Sequence, residues 1–168
     1  EDRLTGWDRA DANLDQSWNL TPVGDWQSFT ENSVVQNRTH GPAHELTAAA
    51  GQSVQHDAKG NITLLPSSLR PIACSLSWDF DNRLSSADTD NSGTADVFYQ
   101  FDALGRRVSR DDGTTTTVFV QNGQQTLADY VSGASPSSPV YTYIWGDYID
   151  ELVVRDGTGG RRFYHRNA

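Results

Sequence analysis

The chain has 168 residues and a hydrophobic content of 36%, which is low for a domain with a large core. Its net charge of −9 disfavours binding to nucleic acid or to anionic membranes, and no apolar run approaches the roughly 20 residues of a membrane helix. The single cysteine, Cys74, excludes an internal disulfide and is expected to be buried or half-buried. The chain contains no Met and starts at Glu1, so we expect it to be a fragment of a longer protein.

Short alternating segments separated by turn-forming residues follow one another along the chain, which predicts strands. No stretch has the pattern of an amphipathic helix. Trp18, Trp26 and Phe29 mark the first strands. Residues 37–50 are predicted as strand and loop rather than helix, because Gly41–Pro42 interrupts them.

The second half of the chain predicts a series of hairpins. In one of them Leu76, Trp78 and Phe80 are expected on one face of the sheet. Asn122–Gly123 is a strong type I′ turn signal. Most of the aromatic side chains are expected to lie in the core, on a sheet with one face buried. The predicted hairpins and strands are 52–65, 72–88, 96–111, 114–120, 125–130, 141–145, 152–155 and 161–164, with a flexible loop at 132–139.

One motif recurs through these hairpins, and its clearest copy is Phe101–Val108. The aromatic Phe101 ends a strand, and Asp102 can fold its carboxylate back onto nearby backbone N–H groups to start a turn. Gly105 supplies the positive φ that a tight turn needs. Val108 begins the returning strand. The motif is therefore the corner of a β-hairpin.

Further copies of this corner occur at a spacing of about twenty residues, which indicates an array of small units that bury their apolar faces against neighbours. In the third clear copy Asn82 takes the place of glycine, because Asn tolerates the left-handed conformation. Two degenerate copies are Leu20–Trp26 and His40–Leu46. The residues that define the repeat are Trp7, Asp8, His56, Asp57, Gly60, Trp78, Asp79, Phe101, Asp102 and Gly105.

This unit resembles the YD repeat of Rhs proteins, which also occurs in teneurins and in the shell components of insecticidal toxin complexes. The segments Tyr141–Asp150 and Phe163–Asn167 are similar to the stretch that leads into the Rhs core. The resemblance implies an all-β fold of consecutive antiparallel hairpins, forming a strip of a large spiralling β-shell. It divides the chain into degenerate repeats at 1–50, clear repeats at 51–130, and hairpins leading into the core at 131–168.

The loop Asp88–Asp96 is a candidate calcium site. Its oxygen-bearing residues and its Gly match the first nine positions of a calcium-binding loop, but Tyr99 stands where such a loop has its bidentate Glu. The alternative is a solvated hairpin tip rich in turn formers, without any cofactor. The candidate ligands are Asp88, Asp90, Ser92, the Thr94 carbonyl group and Asp96.

The sequence favours a structural role over catalysis, since it contains neither a G-x-S-x-G elbow, nor a cysteine placed near a histidine, nor an HExxH pattern. The resemblance implies a shell segment of a secreted or cell-surface bacterial protein. Its partners would be the remainder of its own β-shell and an enclosed C-terminal effector, such as a toxin domain. The alternative is a wall-associated repeat protein that binds surface glycans or proteins, because aromatic rings stack on sugars. Neither hypothesis involves nucleic acid or membrane insertion by this segment.

Overall fold

A computed structural model describes residues 3–8, 15–147 and 151–164, and these residues form an all-β structure of consecutive antiparallel hairpins, as the sequence predicts. None of them form a helix of the length and apolarity needed to cross a membrane. The strands are β1 Gly6–Trp7, β2 Gln16–Leu20, β3 Trp26–Glu31, β4 Val34–His40, β5 Leu46–Ala49, β6 Gln52–Ser53, β7 Gln55–His56, β8 Ile62–Leu65, β9 Cys74–Trp78, β10 Leu84–Asp88, β11 Val97–Phe101, β12 Arg107–Asp111, β13 Thr116–Asn122, β14 Gln125–Val131, β15 Tyr141–Trp145, β16 Leu152–Gly157 and β17 Arg162–Phe163.

The chain divides into two compact units. The first comprises Glu1–Ser77 with Asp88–Thr94, and the second comprises Trp78–Ala87 with Ala95–Ala168. Within the first, β1 to β6 form a six-stranded sheet in the order of the sequence, and β7 pairs with β8 and β8 with β9. Within the second, β10 to β17 also follow one another in sequence order. Each unit is therefore built from neighbouring hairpins without crossovers.

A bulge interrupts the ladder next to several of the turns. The register shifts between Gln100 and Phe101 in β11, and between Val120 and Gln121 in β13. A third shift lies between Ile144 and Trp145 in β15. Because an extra residue changes which side chains share a face, these bulges decide which residues of adjacent strands meet.

The buried apolar side chains are small, and this corrects the expectation of an aromatic core. None of the aromatic residues that the structure describes is buried, and several are exposed. The rings along the strands are half-buried at most, because side chains of neighbouring strands cover them only in part. Cys74 is buried, as expected. The buried apolar residues are Ala49, Val54, Cys74, Ala87, Val97, Ala128 and Val154.

Two local predictions differ from the structure in the hairpins around residues 52–65 and 72–88. The first strand of the hairpin predicted at 52–65 is split into β6 and β7. The split lies at Val54, because its N–H donates to the Thr47 carbonyl group rather than to β8. Phe80 does not share a face with Leu76 and Trp78. It is 87% exposed, because β9 ends at Trp78 and Phe80 already belongs to the turn that follows.

The hairpin at Asn122–Gly123 forms, but its turn is displaced by one residue. Asn122 pairs with Gln125, so the two central residues are Gly123 and Gln124. Gly123 has a φ of 59°, and Gln124 is not among the residues with positive φ. A type I′ turn requires positive φ at both positions, whereas glycine first is the pattern of a type II′ turn.

Candidate functional site

Three turns share one hydrogen-bonding pattern, and we call them the Asp corners: Asp57–Asn61, Asp79–Arg83 and Asp102–Arg106. In each, the carboxylate Oδ1 accepts hydrogen bonds of 2.9–3.0 Å from the backbone N–H groups two and four residues later. The Asp N–H donates to the carbonyl group four residues later, and the Asp carbonyl group accepts from the N–H three residues later. The aspartate therefore closes its turn without help from the rest of the protein.

The fifth residue of each Asp corner completes the pattern through its side chain. Asn61 Nδ2, Arg83 Nε and Arg106 Nε donate to the Oδ2 of their aspartate, at 2.9, 2.9 and 2.7 Å. Hydrogen bonds from this fifth residue are the main cause that lowers the pKa of each corner aspartate below its ordinary value. The corners are thus built for the ionised carboxylate.

The fourth residue of each Asp corner has a left-handed backbone. Gly60, Asn82 and Gly105 have φ values of 87°, 60° and 77°. The two degenerate copies have the same backbone hydrogen bonds around Thr21 and Gly41, without an aspartate at the first position. Gly24 and His44 occupy their fourth positions, with φ values of 101° and 65°. The degenerate copies therefore have the backbone turn of the motif without its aspartate.

The aromatic position of the motif lies at the end of the incoming strand. His56, Trp78 and Phe101 are the last residues of β7, β9 and β11, and all three are half-buried. Trp7 ends β1 and is exposed, and Asp8 follows it. The rest of that copy, residues 9–14, lies outside the described residues.

Arginines of two Asp corners contact the next hairpin of the second unit. The Arg83 guanidinium lies 5.4 Å from the ring centre of Phe101, which begins the following corner. Arg106 Nη1 donates a 2.8 Å hydrogen bond to the Gly123 carbonyl group in the next turn. The Asp79 and Asp102 corners are therefore each in contact with the hairpin that follows.

The candidate calcium loop is a turn held together by its own carboxylates. Asp88 is buried, at 6% exposed, and accepts bonds from the Ser92 and Gly93 N–H groups at 3.0 and 2.8 Å. The Ser92 hydroxyl and N–H lower the pKa of Asp90. Asp96 donates its N–H to the Ala87 carbonyl group, and the Thr94 carbonyl group accepts from the Ser92 hydroxyl. Nowhere in the described ranges do three or more His, Cys, Asp or Glu side chains form a metal-binding group.

The second unit has a groove of about 520 Å³ on the face that carries Tyr99, Phe119 and Tyr143. The register places Phe119 opposite Asp129, and Asp129 opposite Tyr141, so residues of β13, β14 and β15 share this face. We call it the aromatic groove. Its lining residues are Leu84, Tyr99, Phe101, Arg106, Arg107, Phe119, Gln121, Gln124, Thr126, Asp129, Tyr143, Trp145 and Leu152.

Guanidinium groups and rings alternate across this face of the sheet. The Arg107 guanidinium lies 5.7 Å from the ring centre of Tyr99 and 4.9 Å from that of Phe119, so it is placed between two rings. Arg155 lies 4.7 Å from the ring centre of Tyr141. Stacking of this kind holds a guanidinium flat while its hydrogen-bonding edge stays available.

Asp129 is the buried polar group of the aromatic groove, at 8% exposed. The Tyr143 hydroxyl donates a 2.6 Å hydrogen bond to Asp129 Oδ2, while Oδ1 is buried with no hydrogen-bond partner in the described part of the chain. Burial raises the pKa of Asp129, against the opposing effects of the Tyr143 bond and of Arg107 and Arg155. Burial and the Asp129 bond raise the pKa of Tyr143 well above its ordinary value.

Sequence reasoning did not identify the aromatic groove. The alternation of the sequence in β11 and β15 puts Tyr99 on the face of Phe101, and Tyr143 on the face of Trp145. Whether these side chains contact Arg107 and Asp129 depends on the positions of the bulges, and the sequence pattern does not predict those positions. The signal that the sequence does contain is a charged residue inside an apolar stretch, such as Asp129 between Ala128 and Tyr130 in β14.

The first unit has an aromatic cluster of its own. Trp18, Trp26 and Phe29 lie with their ring centres 5.8–6.1 Å apart. The Arg38 guanidinium lies 4.8 Å from the ring centre of Trp26, and burial lowers its pKa. Arg38 Nε also donates to Gln36 Oε1, so this arginine is already engaged.

No family model and no curated protein matches the sequence. Among solved structures, the crystal structure of TcdB2-TccC3-TEV matches with a TM-score of 0.47 and 14% sequence identity. The match covers 84% of this chain and 9% of that chain, so this chain corresponds to a small part of the matched structure. A likeness at this level assigns neither ligand nor activity.

Proposed function

We propose that this chain is a wall segment of a β-shell in a larger secreted or cell-surface bacterial protein, where the shell encloses or presents a C-terminal effector domain. The observation that supports the proposal most is the repetition of one self-contained corner, with the same five hydrogen bonds in the Asp57, Asp79 and Asp102 turns. A turn that needs no distant partner allows hairpins to be added one after another.

Exposed apolar side chains also favour a segment that is covered by neighbours. Val34 and Ile144 are 72% and 59% exposed, and Phe98 and Phe163 are exposed as well. Such residues in a sheet are normally covered by further strands or by a second surface. The proposed role is structural and requires no catalytic residue.

Limited proteolysis of the full-length gene product tests the proposed shell. We expect its C-terminal domain to resist protease in the intact protein, and to be digested rapidly when it is produced alone. The double variant Asp79→Ala with Asp102→Ala opens two corners and should expose that domain. The matched control is Asp81→Ala, which leaves both corner aspartates in place. Equal digestion of the intact protein and the isolated domain would show that nothing encloses the effector.

The aromatic groove favours a second candidate function, which is the binding of surface saccharides. Its volume of about 520 Å³ lies within the roughly 300–1,000 Å³ typical of small-molecule sites. Half-buried rings of Phe119, Tyr143 and Trp145 are combined there with the side-chain amides of Gln121 and Gln124. Calorimetric titration of the folded chain with neutral and acidic oligosaccharides tests this candidate, and no binding to any of them would reject it.

A further inference from the structure

We infer that the aromatic groove binds a saccharide carrying one carboxylate group, a uronate, and that Arg107 receives the carboxylate. The inference rests on the second candidate function, the binding of saccharides, and does not depend on the proposed shell. It names the ligand class from the charge and the hydrogen-bonding groups that the groove presents.

Arg107 differs from Arg83 and Arg106, the arginines of the Asp corners, in having an available hydrogen-bonding edge. Arg83 is bonded to Asp79 and Asp81, and Arg106 to Asp102 and to the Gly123 carbonyl group. In the described part of the chain, the Arg107 guanidinium contacts the rings of Tyr99 and Phe119, and no oxygen accepts a hydrogen bond from it. The planar fork of a guanidinium matches both oxygens of a carboxylate.

The charges around Arg107 favour a monoanion over a phosphate dianion. Asp102 already forms an ion pair with Arg106, whereas Arg107, the other arginine of the groove lining, is in ion-pair contact with no carboxylate among the described residues. Asp129 interacts electrostatically with Arg107 and with Arg155. A second negative charge on the ligand would meet this carboxyl group, whereas a single carboxylate is balanced by Arg107.

The strands under the groove exclude recognition of an extended peptide by strand addition. The lining residues of β11 to β15 lie on strands that are paired on both sides, so no backbone edge is open there. A ligand must therefore be held by side chains. The rings offer flat faces for a sugar, and Gln124 offers an amide group to its hydroxyls. The Gln121 amide is already bonded to the Arg107 carbonyl group and to the Thr126 hydroxyl.

Titration calorimetry tests the inference with an acidic oligogalactoside, in which one terminal residue is a galacturonate. The comparison ligands are the matching neutral oligogalactoside and an end-blocked pentapeptide with one glutamate, the glutamate peptide. We expect the acidic oligogalactoside to bind at least about tenfold more tightly than either, because a hydrogen bond to a charged group contributes more than a neutral one. The variant Arg107→Gln should lose about tenfold or more in affinity for the acidic oligogalactoside, and Arg107→Lys should lose less. The control Arg161→Gln, in the loop before β17, should bind as the parent chain does.

Each contrary result has a separate meaning. Equal binding of the neutral oligogalactoside would overturn the carboxylate inference and leave saccharide binding in place. Equal binding of the glutamate peptide would overturn the choice of a saccharide. No binding of any oligosaccharide would overturn both the inference and the second candidate function. Unchanged affinity in Arg107→Gln would overturn the assigned role of Arg107, and circular dichroism confirms that each variant is folded before its result is used.

Discussion

Replacing Gly105 by valine tests whether the Asp corners depend on a left-handed residue. Gly105 has a φ of 77°, and a Cβ built there would lie 3.7 Å from Arg83 Nη1, so space is not the obstacle. The cost is conformational, since an L-residue held in this region loses about 1–3 kcal/mol, with β-branched residues at the upper end. For a chain of this size that corresponds to a fall in melting temperature of about 2–12 °C.

Thermal unfolding followed by circular dichroism measures the effect against two controls. Gly105→Asn should unfold close to the parent chain, because Asn82 adopts a φ of 60° at the same position of its own corner. Ala103→Val places valine in the same turn at a residue without positive φ, and should also be tolerated. If Gly105→Val and Ala103→Val have the same melting temperature, the corner does not require the left-handed conformation and the reasoning is refuted.

Three further predictions concern the second unit, the Asp corners and the calcium loop. Gly157→Ala should lower the melting temperature more than Gly159→Ala, although both glycines have positive φ. A Cβ at Gly157 would lie 2.1 Å from the Val140 carbonyl oxygen, whereas a Cβ at Gly159 would have no atom within 4 Å. Equal melting of the two would refute the close approach. The pKa values of the corner aspartates are lower in the folded chain than their unfolded value of about 4. Their contribution to stability is therefore present above about pH 4 and is lost as the pH falls through the folded values. Melting temperatures should therefore drop below about pH 4, and a flat profile down to pH 2 would contradict this. Calcium titration should give no heat if Asp88–Asp96 is a plain turn, and a saturable heat lost in Asp90→Ala would establish a calcium site instead.

The Asp corners could be predicted from the sequence because their chemistry is local. The carboxylate of Asp102, the positive φ of Gly105 and the closing bonds all lie within five residues of one another. Asn82 could be placed in the glycine position for the same reason. Local interactions of this kind do not depend on how the strands pair.

The aromatic groove and the exposure of the rings depend on information that is not local. Arg107, Phe119 and Asp129 come from three strands, and a shift of one residue in register would send a side chain to the opposite face. The split at Val54 likewise follows from the bond to Thr47. Whether an aromatic residue is buried depends on a second layer over the sheet, which strand alternation alone does not reveal.

Electron cryo-microscopy of the full-length gene product tests most directly whether this chain forms part of a shell wall. We expect residues 51–130 to lie in a curved sheet that continues through further hairpins on both sides and surrounds a C-terminal domain. A map in which these residues form a free-standing sheet, with no continuing strands and no enclosed domain, would contradict the proposed function.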